Sequence, residues 1–350
     1  MLKIRKIKEK SDVYDITVNN NHNFYADGVL VHNCVEINHP LSPIYDVNDP
    51  DGEIGVCILA AVNWLEIKDD NDLENSCDII VRMLDSLIDH QKYFVPAAEN
   101  FAKKRRSLGV GVSNLAAMLA KEKVKYDDPS SPNIVSKWME KTSYFLIKSS
   151  IELSKEIGPC EKFNLTKYSK GILPIDTYKR DIDEFVTEPL HMDWESLRKD
   201  ILKHGMRHST LTAIMPVESS SVIQSSTNGI EPPRSAISFK GSKSNILPVV
   251  VPNIDRYLQH YTFAFDMEDN TGYFKVAAAL QKFVDMSMST NSYYTPSKYK
   301  SNKVPVESVL KDLLNAYKYG IKSLYYANTD DGDVQSVNDE SGCEGGACTL

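Results

Sequence analysis

"CVEINHPLSPIYDVNDPDGEIGVCILAAVN", residues 34–63, is the stretch on which the reading of the fold turns. It opens with Cys34 and Glu36, two positions apart. Side chains alternate along an extended chain, so a thiol and a carboxylate at that spacing face the same way. Such a pair can take a hydrogen atom and a proton from one face of a substrate. The stretch closes with an apolar run, residues 54–63, which reads as a buried strand carrying a second thiol, Cys57.

Downstream of this stretch, strands and helices alternate. Ile79, Ile80, Met83, Leu84, Leu87 and Ile88 recur with helical spacing, as one apolar face. Val135, Trp138, Met139, Phe145, Leu146, Leu153 and Ile157 mark a longer helix that stops at Gly158-Pro159. "RRSLGVGVSNL" (105–115) is a glycine-rich entry to a helix and reads as a packing device. "LTAIM" (211–215) reads as a buried strand, a helix is expected from about 304 to 319 ahead of Gly320, and "IKSLYYAN" is the next strand. This order predicts an α/β fold with a parallel or barrel-like sheet.

Three further patterns carry chemistry. "PVESSS" puts Pro216, Val217, Glu218, Ser219 and Ser220 after a strand at an expected helix start, where backbone N–H groups can hold a phosphate. The plainer reading of those serines is a helix cap. Tyr325 and Tyr326 are adjacent near the last strand, and neighbouring tyrosines can relay a radical if each proton moves with its electron. The last segment, 328–350, has six acidic residues and no Lys or Arg, which predicts a solvated tail. It carries Cys343 and Cys348, where reach and access favour thiol–disulfide exchange. Cys77 and Cys160 read as core or surface thiols.

Upstream, the window "LVHNCVEI" (30–37) adds a second chemistry. The Asn33 side chain can attack its own carbonyl and cleave the following peptide bond. His32 is suited to protonate the departing amine, and Cys34 to hold a transferred acyl chain as a thioester. Before it, Val13–Val18 alternates as a strand, Asn19–Asn23 and Asp27-Gly28 read as turns, and Val29–Val31 is a short strand. The segment 1–33 is thus expected to be all-β and too small to hold a core alone. It opens with "MLKIRKIKEK", five basic residues and one acid, suited to meeting an acidic partner.

Composition narrows the classes. The chain has 350 residues, 42% of them hydrophobic, enough for a large core. A net charge of −8 argues against nucleic acid as the partner. No apolar run reaches membrane-spanning length, so no membrane and a cytoplasmic location are expected. Six cysteines in this length do not make a disulfide scaffold.

"VYDITVNNNHNFYADGVLVHNC" resembles the C-terminal splicing region of inteins. The resemblance covers residues 1–33 plus Cys34. It implies that Asn33 cyclises, His32 assists and Cys34 accepts the extein, with Asp15 and His22 at the family's supporting positions. Because the family's N-terminal half does not precede it, the segment is expected to be half of a split intein, completed by another chain.

From Cys34 to Leu350 the chain resembles the C-terminal half of the large subunit of aerobic class I ribonucleotide reductases, also through "KGILPIDTYKRD", "EPLHMDWESLR" and "STNGIEPPR". That resemblance implies half of a ten-stranded α/β barrel over 34–327, with Cys34 on a central loop, and a redox-active tail over 328–350. It implies Cys34 as the thiyl-radical cysteine, Glu36 as the base for the 3′-hydroxyl and Cys57 as one of two reducing thiols. Tyr325 and Tyr326 would be the last radical-path steps, Cys343 and Cys348 the re-reducing tail pair, and 216–220 the diphosphate turn of a ribonucleoside diphosphate site.

The family's cofactor logic follows. By that resemblance this chain is expected to bind none itself, with a metal-containing small subunit supplying the radical and thioredoxin or glutaredoxin the electrons. The family's Asn two residues before the radical Cys is replaced here by His32. That Asn must come from the joined N-terminal half, and the chain alone is expected to be inactive. The alternative is a splicing-competent chain whose reductase portion is a non-catalytic remnant.

Overall fold

The structure, a computed structural model, describes residues 23–26, 29–32, 35–46, 48–242 and 245–330. Two short strands, β1 (Asn23–Ala26) and β2 (Val29–His32), form an antiparallel hairpin with Asn23 opposite His32. The expected strand Val29–Val31 is there. β1 was not foreseen, and its first residue, Asn23, had been read as part of a turn. Val13–Val18 and Asp27-Gly28 lie outside the described residues.

The body is a succession of parallel strands joined by helical crossovers, as parallel pairing demands. β3 (Leu59–Asn63) leads through α1 (Asp70–His90) and α2 (Pro96–Arg105) to β4 (Gly109–Ser113). Four helices follow, α3 (Leu115–Lys121), α4 (Ser131–Ile157), the one-turn α5 (Pro174–Thr177) and α6 (Trp194–His204), before the extended segment 210–215. Next come α7 (Glu218–Gln224), a hairpin of β5 (Ile237–Ser242) and β6 (Asn245–Val250), α8 (Ile254–Tyr257) and α9 (Thr271–Gln281). β7 (Thr290–Tyr294), α10 (Val306–Lys318) and β8 (Leu324–Thr329) close the order.

Five extended segments line up in chain order. β3 pairs with β4 in parallel. β4 meets 210–215 through Leu108 N–H to Thr210 O (3.0 Å), Val110 N–H to Leu211 O (2.7 Å) and a parallel bridge between Val110 and Thr212. That segment meets the run into β7 through Ile214 N–H to Ser287 O (3.1 Å) and Ser289 N–H to Ile214 O (2.8 Å). β7 pairs with β8, again in parallel. The α/β class expected from the sequence is therefore present, and "LTAIM" is a buried extended segment held by isolated bridges at Thr212 and Ile214. Among the described residues, the far edges of β3 and β8 have no strand partner.

The glycines of β4 set how closely this sheet packs. A Cβ on Gly111 would lie 2.8 Å from the Ala213 carbonyl oxygen, and one on Gly109 would lie 2.6 Å from Leu59 Cδ2 and 3.3 Å from Ile37 Cδ1. All five β4 residues are buried. The packing role read for "GVGVS" holds, with the glycines in a strand ahead of α3 rather than in the helix entry itself.

The helices follow their start and stop signals. α1 is capped by the Asp69 carboxylate, which accepts the Asp72 N–H at 2.9 Å. α4 stops where Gly158 adopts φ +87°, and α10 ends ahead of Gly320 at φ +74°. The expected face of α1 needs correction. Its buried row is Leu73, Cys77, Val81, Leu84 and Ile88, while Ile79, Met83 and Leu87 are exposed. Two apolar rows share this helix, and α1 packs on α4 with the row that includes Cys77. α10 is inverted too, burying Asp312 and Ala316 and presenting Val306, Leu310, Leu313, Leu314 and Tyr317 outward. Among the described residues, no helix is long and apolar enough to cross a membrane.

Candidate active site

Glu36 is buried, and two links tie it to one strand. Its backbone oxygen accepts the Ser287 N–H at 3.0 Å, and its Oε2 accepts the Ser289 hydroxyl at 2.6 Å. Ser287 and Ser289 are two residues apart in the segment leading into β7, and Glu36 meets the backbone of the first and the side chain of the second. Ile37 fills the space left by the small residues Gly109 and Ala213.

Cys57 was read as lying within a buried strand. It is instead exposed and stands two residues ahead of β3. The ladder to β4 begins just after it, where the Gly109 N–H donates to Ile58 O at 2.9 Å. The apolar run 54–63 is only half strand, because its first part belongs to the loop that carries the thiol. Gly109 is where the two stretches meet, since Ile37 and Leu59 both close on the position of its absent Cβ.

A buried ion cluster holds the loop between Glu36 and Cys57. Glu53 is 2% exposed and receives Arg105 Nη2 at 2.8 Å, Lys162 Nζ at 2.6 Å and the Ser42 N–H at 2.7 Å. Burial pushes its carboxyl up, but the hydrogen bonds from Arg105 and Lys162 outweigh this and hold it at about 2. Nearby, the His39 ring lies 4.6 Å from that of Phe101. Burial first, then the Arg105 charge, pushes its imidazole down to about 4.

Pro216 and Val217 follow segment 210–215, and α7 begins at Glu218, as the sequence indicated. Glu218 Oε1 accepts Asn228 Nδ2 at 2.6 Å, which braces the turn, while Ser219 and Ser220 are exposed. This turn and Glu36 share a strand neighbourhood. Ser289, which holds the Glu36 carboxylate, donates its backbone N–H to Ile214, two residues before Pro216.

Tyr325 and Tyr326 stand at an irregularity. Thr290 pairs with Leu324 and Ser292 with Ala327, so the single residue Asn291 on β7 faces two residues on β8. This is a β-bulge. On a regular strand two neighbouring side chains point to opposite faces, but the extra residue brings both rings together. Their centroids are 3.9 Å apart, and Tyr326 Oη donates to Tyr325 Oη at 2.9 Å. Asn291 anchors the bulge, accepting the Tyr326 N–H at 3.0 Å and donating to Glu231 Oε1 at 2.8 Å.

The structure brings Glu36, the 216–220 turn and the strand facing the tyrosine pair into one neighbourhood. Asp15, His22, Asn33, Cys34, Cys343 and Cys348 lie outside the described residues, and His32 is known only as the last position of β2. Cys77 and Cys160 are buried core thiols, pushed up by burial, Cys160 to about 11. Ser289, Asn291 and the Glu53 cluster were missed. Periodicity gave little signal for the first two, since Ser287, Ser289 and Asn291 recur with period two but Thr290 and Ser292 off that row are polar as well, and all five are buried.

Comparison with known proteins bears on this arrangement. The family model described as "Ribonucleotide reductase, barrel domain" matches residues 12–261 and 253–327. The ribonucleoside-diphosphate reductase subunit alpha of Haemophilus influenzae is 50% identical over 319 residues, covering 91% of this chain and 42% of that protein. Ribonucleoside-diphosphate reductase 1 subunit alpha of Escherichia coli is 49% identical over 269 residues, 75% of this chain and 35% of that one. The Helicobacter pylori subunit alpha is 32% identical over 298 residues, 83% and 37%. The chain spans about two-fifths of the length of the first of these relatives.

Proposed function

Because the chain belongs to the ribonucleotide reductase barrel-domain family, we propose that it supplies the catalytic half of a class I ribonucleoside-diphosphate reductase large subunit. The observation that carries this reading is the buried Glu36 carboxylate, hydrogen-bonded by Ser289 in the segment leading into the strand that pairs with a bulged, closely packed tyrosine pair.

In this reading Tyr325 and Tyr326 pass an oxidising equivalent to Cys34, each phenol giving up its proton with its electron. The Cys34 thiyl radical takes the hydrogen atom from the ribose 3′ carbon, and Glu36 takes the proton of the 3′-hydroxyl. The 2′-hydroxyl takes a proton from the reducing thiol pair and leaves as water, and Cys34 finally returns its hydrogen atom to the 3′ carbon, which restores the thiyl radical. Cys57 and a partner thiol from the joined half supply two electrons and two protons and become a disulfide. Cys343 and Cys348 reduce that disulfide by exchange and are reduced in turn by thioredoxin or glutaredoxin. The first turn of α7, with Ser219 and Ser220 exposed, receives the diphosphate. The outward apolar row of α10, directly before the strand with the tyrosines, suits docking of the metal-containing small subunit that supplies the radical.

Residues 1–33 act first, as the C-terminal fragment of an intein. Asn33 cyclises with help from His32, and Cys34 receives the upstream polypeptide, with Asp15 and His22 in support. That polypeptide is the N-terminal half of the subunit, and its strands pair with the edges of β3 and β8 that have no partner among the described residues, to complete ten. Cys34 therefore serves splicing as an acyl acceptor and, once freed, serves reduction as the radical site.

The test is to mix the chain with an N-terminal half carrying the matching intein fragment, then follow ligation by mass spectrometry and deoxynucleotide formation with small subunit and thioredoxin. A ligated, active product is expected. Asn33→Ala should block both ligation and turnover, whereas Cys57→Ser should ligate normally and lose sustained turnover. Full reductase activity from the unligated Asn33→Ala mixture refutes the order of events. Ligation without turnover supports the remnant alternative.

A further inference from the structure

We propose that Ser289 is a positioning residue for Glu36, setting the orientation of the carboxylate that meets the sugar. This inference rests on the reading of Glu36 as the base. A glutamate carboxylate hangs on three rotatable bonds, and burying it as an anion is costly unless a donor meets it. Ser289 provides that donor with an O–H···O separation of 2.6 Å, the short range of a charge-assisted bond.

The serine itself is fixed. Its N–H is bonded to Ile214 O at 2.8 Å, it is 2% exposed, and the neighbouring Ser287 N–H holds the Glu36 backbone oxygen. Glu36 is thereby gripped at backbone and side chain by two serines two residues apart in one segment. Engaging Oε2 leaves Oε1 as the oxygen presented to substrate. A base must sit within a few tenths of an ångström of its proton to be effective, and this clamp supplies that precision.

Charged groups on the adjoining elements are engaged elsewhere. Asp285 accepts the N–H groups of Leu211 and Thr212 and the hydroxyl of Tyr168. Lys322 lies on the carbonyls of Val284, Asp285 and Met286, and Glu231 receives Asn291. Ser289 is thus the group whose removal changes the surroundings of the carboxylate most directly.

The experiment compares Ser289→Ala, Ser289→Thr, Ser289→Val and Glu36→Gln in the ligated subunit with small subunit and thioredoxin. Ser289→Ala is expected to lower kcat about 10- to 100-fold, with KM for the nucleotide within about two-fold. A fall in kcat without a matching rise in KM separates a mis-aimed base from a damaged binding site. Ser289→Thr keeps the hydroxyl and should retain the parental kcat, while its isostere Ser289→Val should show the loss. That pair decides the matter even if the alanine variant does not fold. An unchanged kcat in the hydroxyl-free variants overturns the positioning role. An active Glu36→Gln variant instead overturns the assignment of the base.

Discussion

Glu53→Gln tests how the loop between Glu36 and Cys57 is held. The substitution keeps the shape and removes the charge that Arg105 and Lys162 meet. Glu53 is held at about 2 against its ordinary 4.5. At about 1.4 kcal/mol per pH unit, the native interactions of this carboxylate amount to about 3 kcal/mol at neutral pH. A second route gives a similar size. The Arg105 side chain is 5% exposed and that of Glu53 is fully buried, and removing one partner of such a pair costs about 3–5 kcal/mol. Because the folded-state value is depressed, this stabilisation is fully present above the ordinary carboxylate value and is lost as pH falls through about 2.

Urea unfolding should therefore show the variant about 3 kcal/mol less stable near neutral pH, with the gap to the parent closing as the pH approaches 2. Turnover of the ligated enzyme should fall as well, since the loop loses its anchor at Ser42 and Arg105. A neutral-pH gap below about 0.5 kcal/mol, or one that does not change with pH, refutes the reasoning.

Other sites give further tests. Gly111→Ala places a methyl 2.8 Å from a backbone oxygen that cannot swing aside, so a loss of about 1–3 kcal/mol is expected in the same unfolding assay. Asn291→Ala leaves the Tyr326 N–H without its acceptor at the bulge, a cost of about 1–3 kcal/mol. Amide exchange at Tyr326 should accelerate and turnover should fall, and unchanged exchange would remove Asn291 as the anchor.

Much of the α/β order was legible because local signals agree with it. Gly158-Pro159 ends α4, Gly320 follows α10, and the break between "LTAIM" and "PVESSS" falls between segment 210–215 and α7. What escaped were features fixed by distant partners. The inward row of α1 is chosen by contact with α4, so periodicity alone could not rank Cys77 and Val81 above Ile79 and Met83. Cys57 sits in an apolar run, yet the ladder to β4 starts only beyond it. Glu36 stands out in the sequence through its spacing to Cys34, whereas Ser289, 253 residues away in sequence, becomes its neighbour only through the fold. The bulge was hidden because an adjacent tyrosine pair looks the same in sequence whether the rings share a side or not.

That extra residue on β8 also fixes what the chain tolerates there. Deleting one tyrosine would remove the bulge. It would return the strand to strict alternation and set the surviving ring directly opposite Asn291, while Ala327, Asn328 and Thr329 keep their present partners Ser292, Tyr293 and Tyr294. One of the two aromatic positions is therefore the inserted one, and its loss removes the side-by-side ring pair rather than the pairing beyond it.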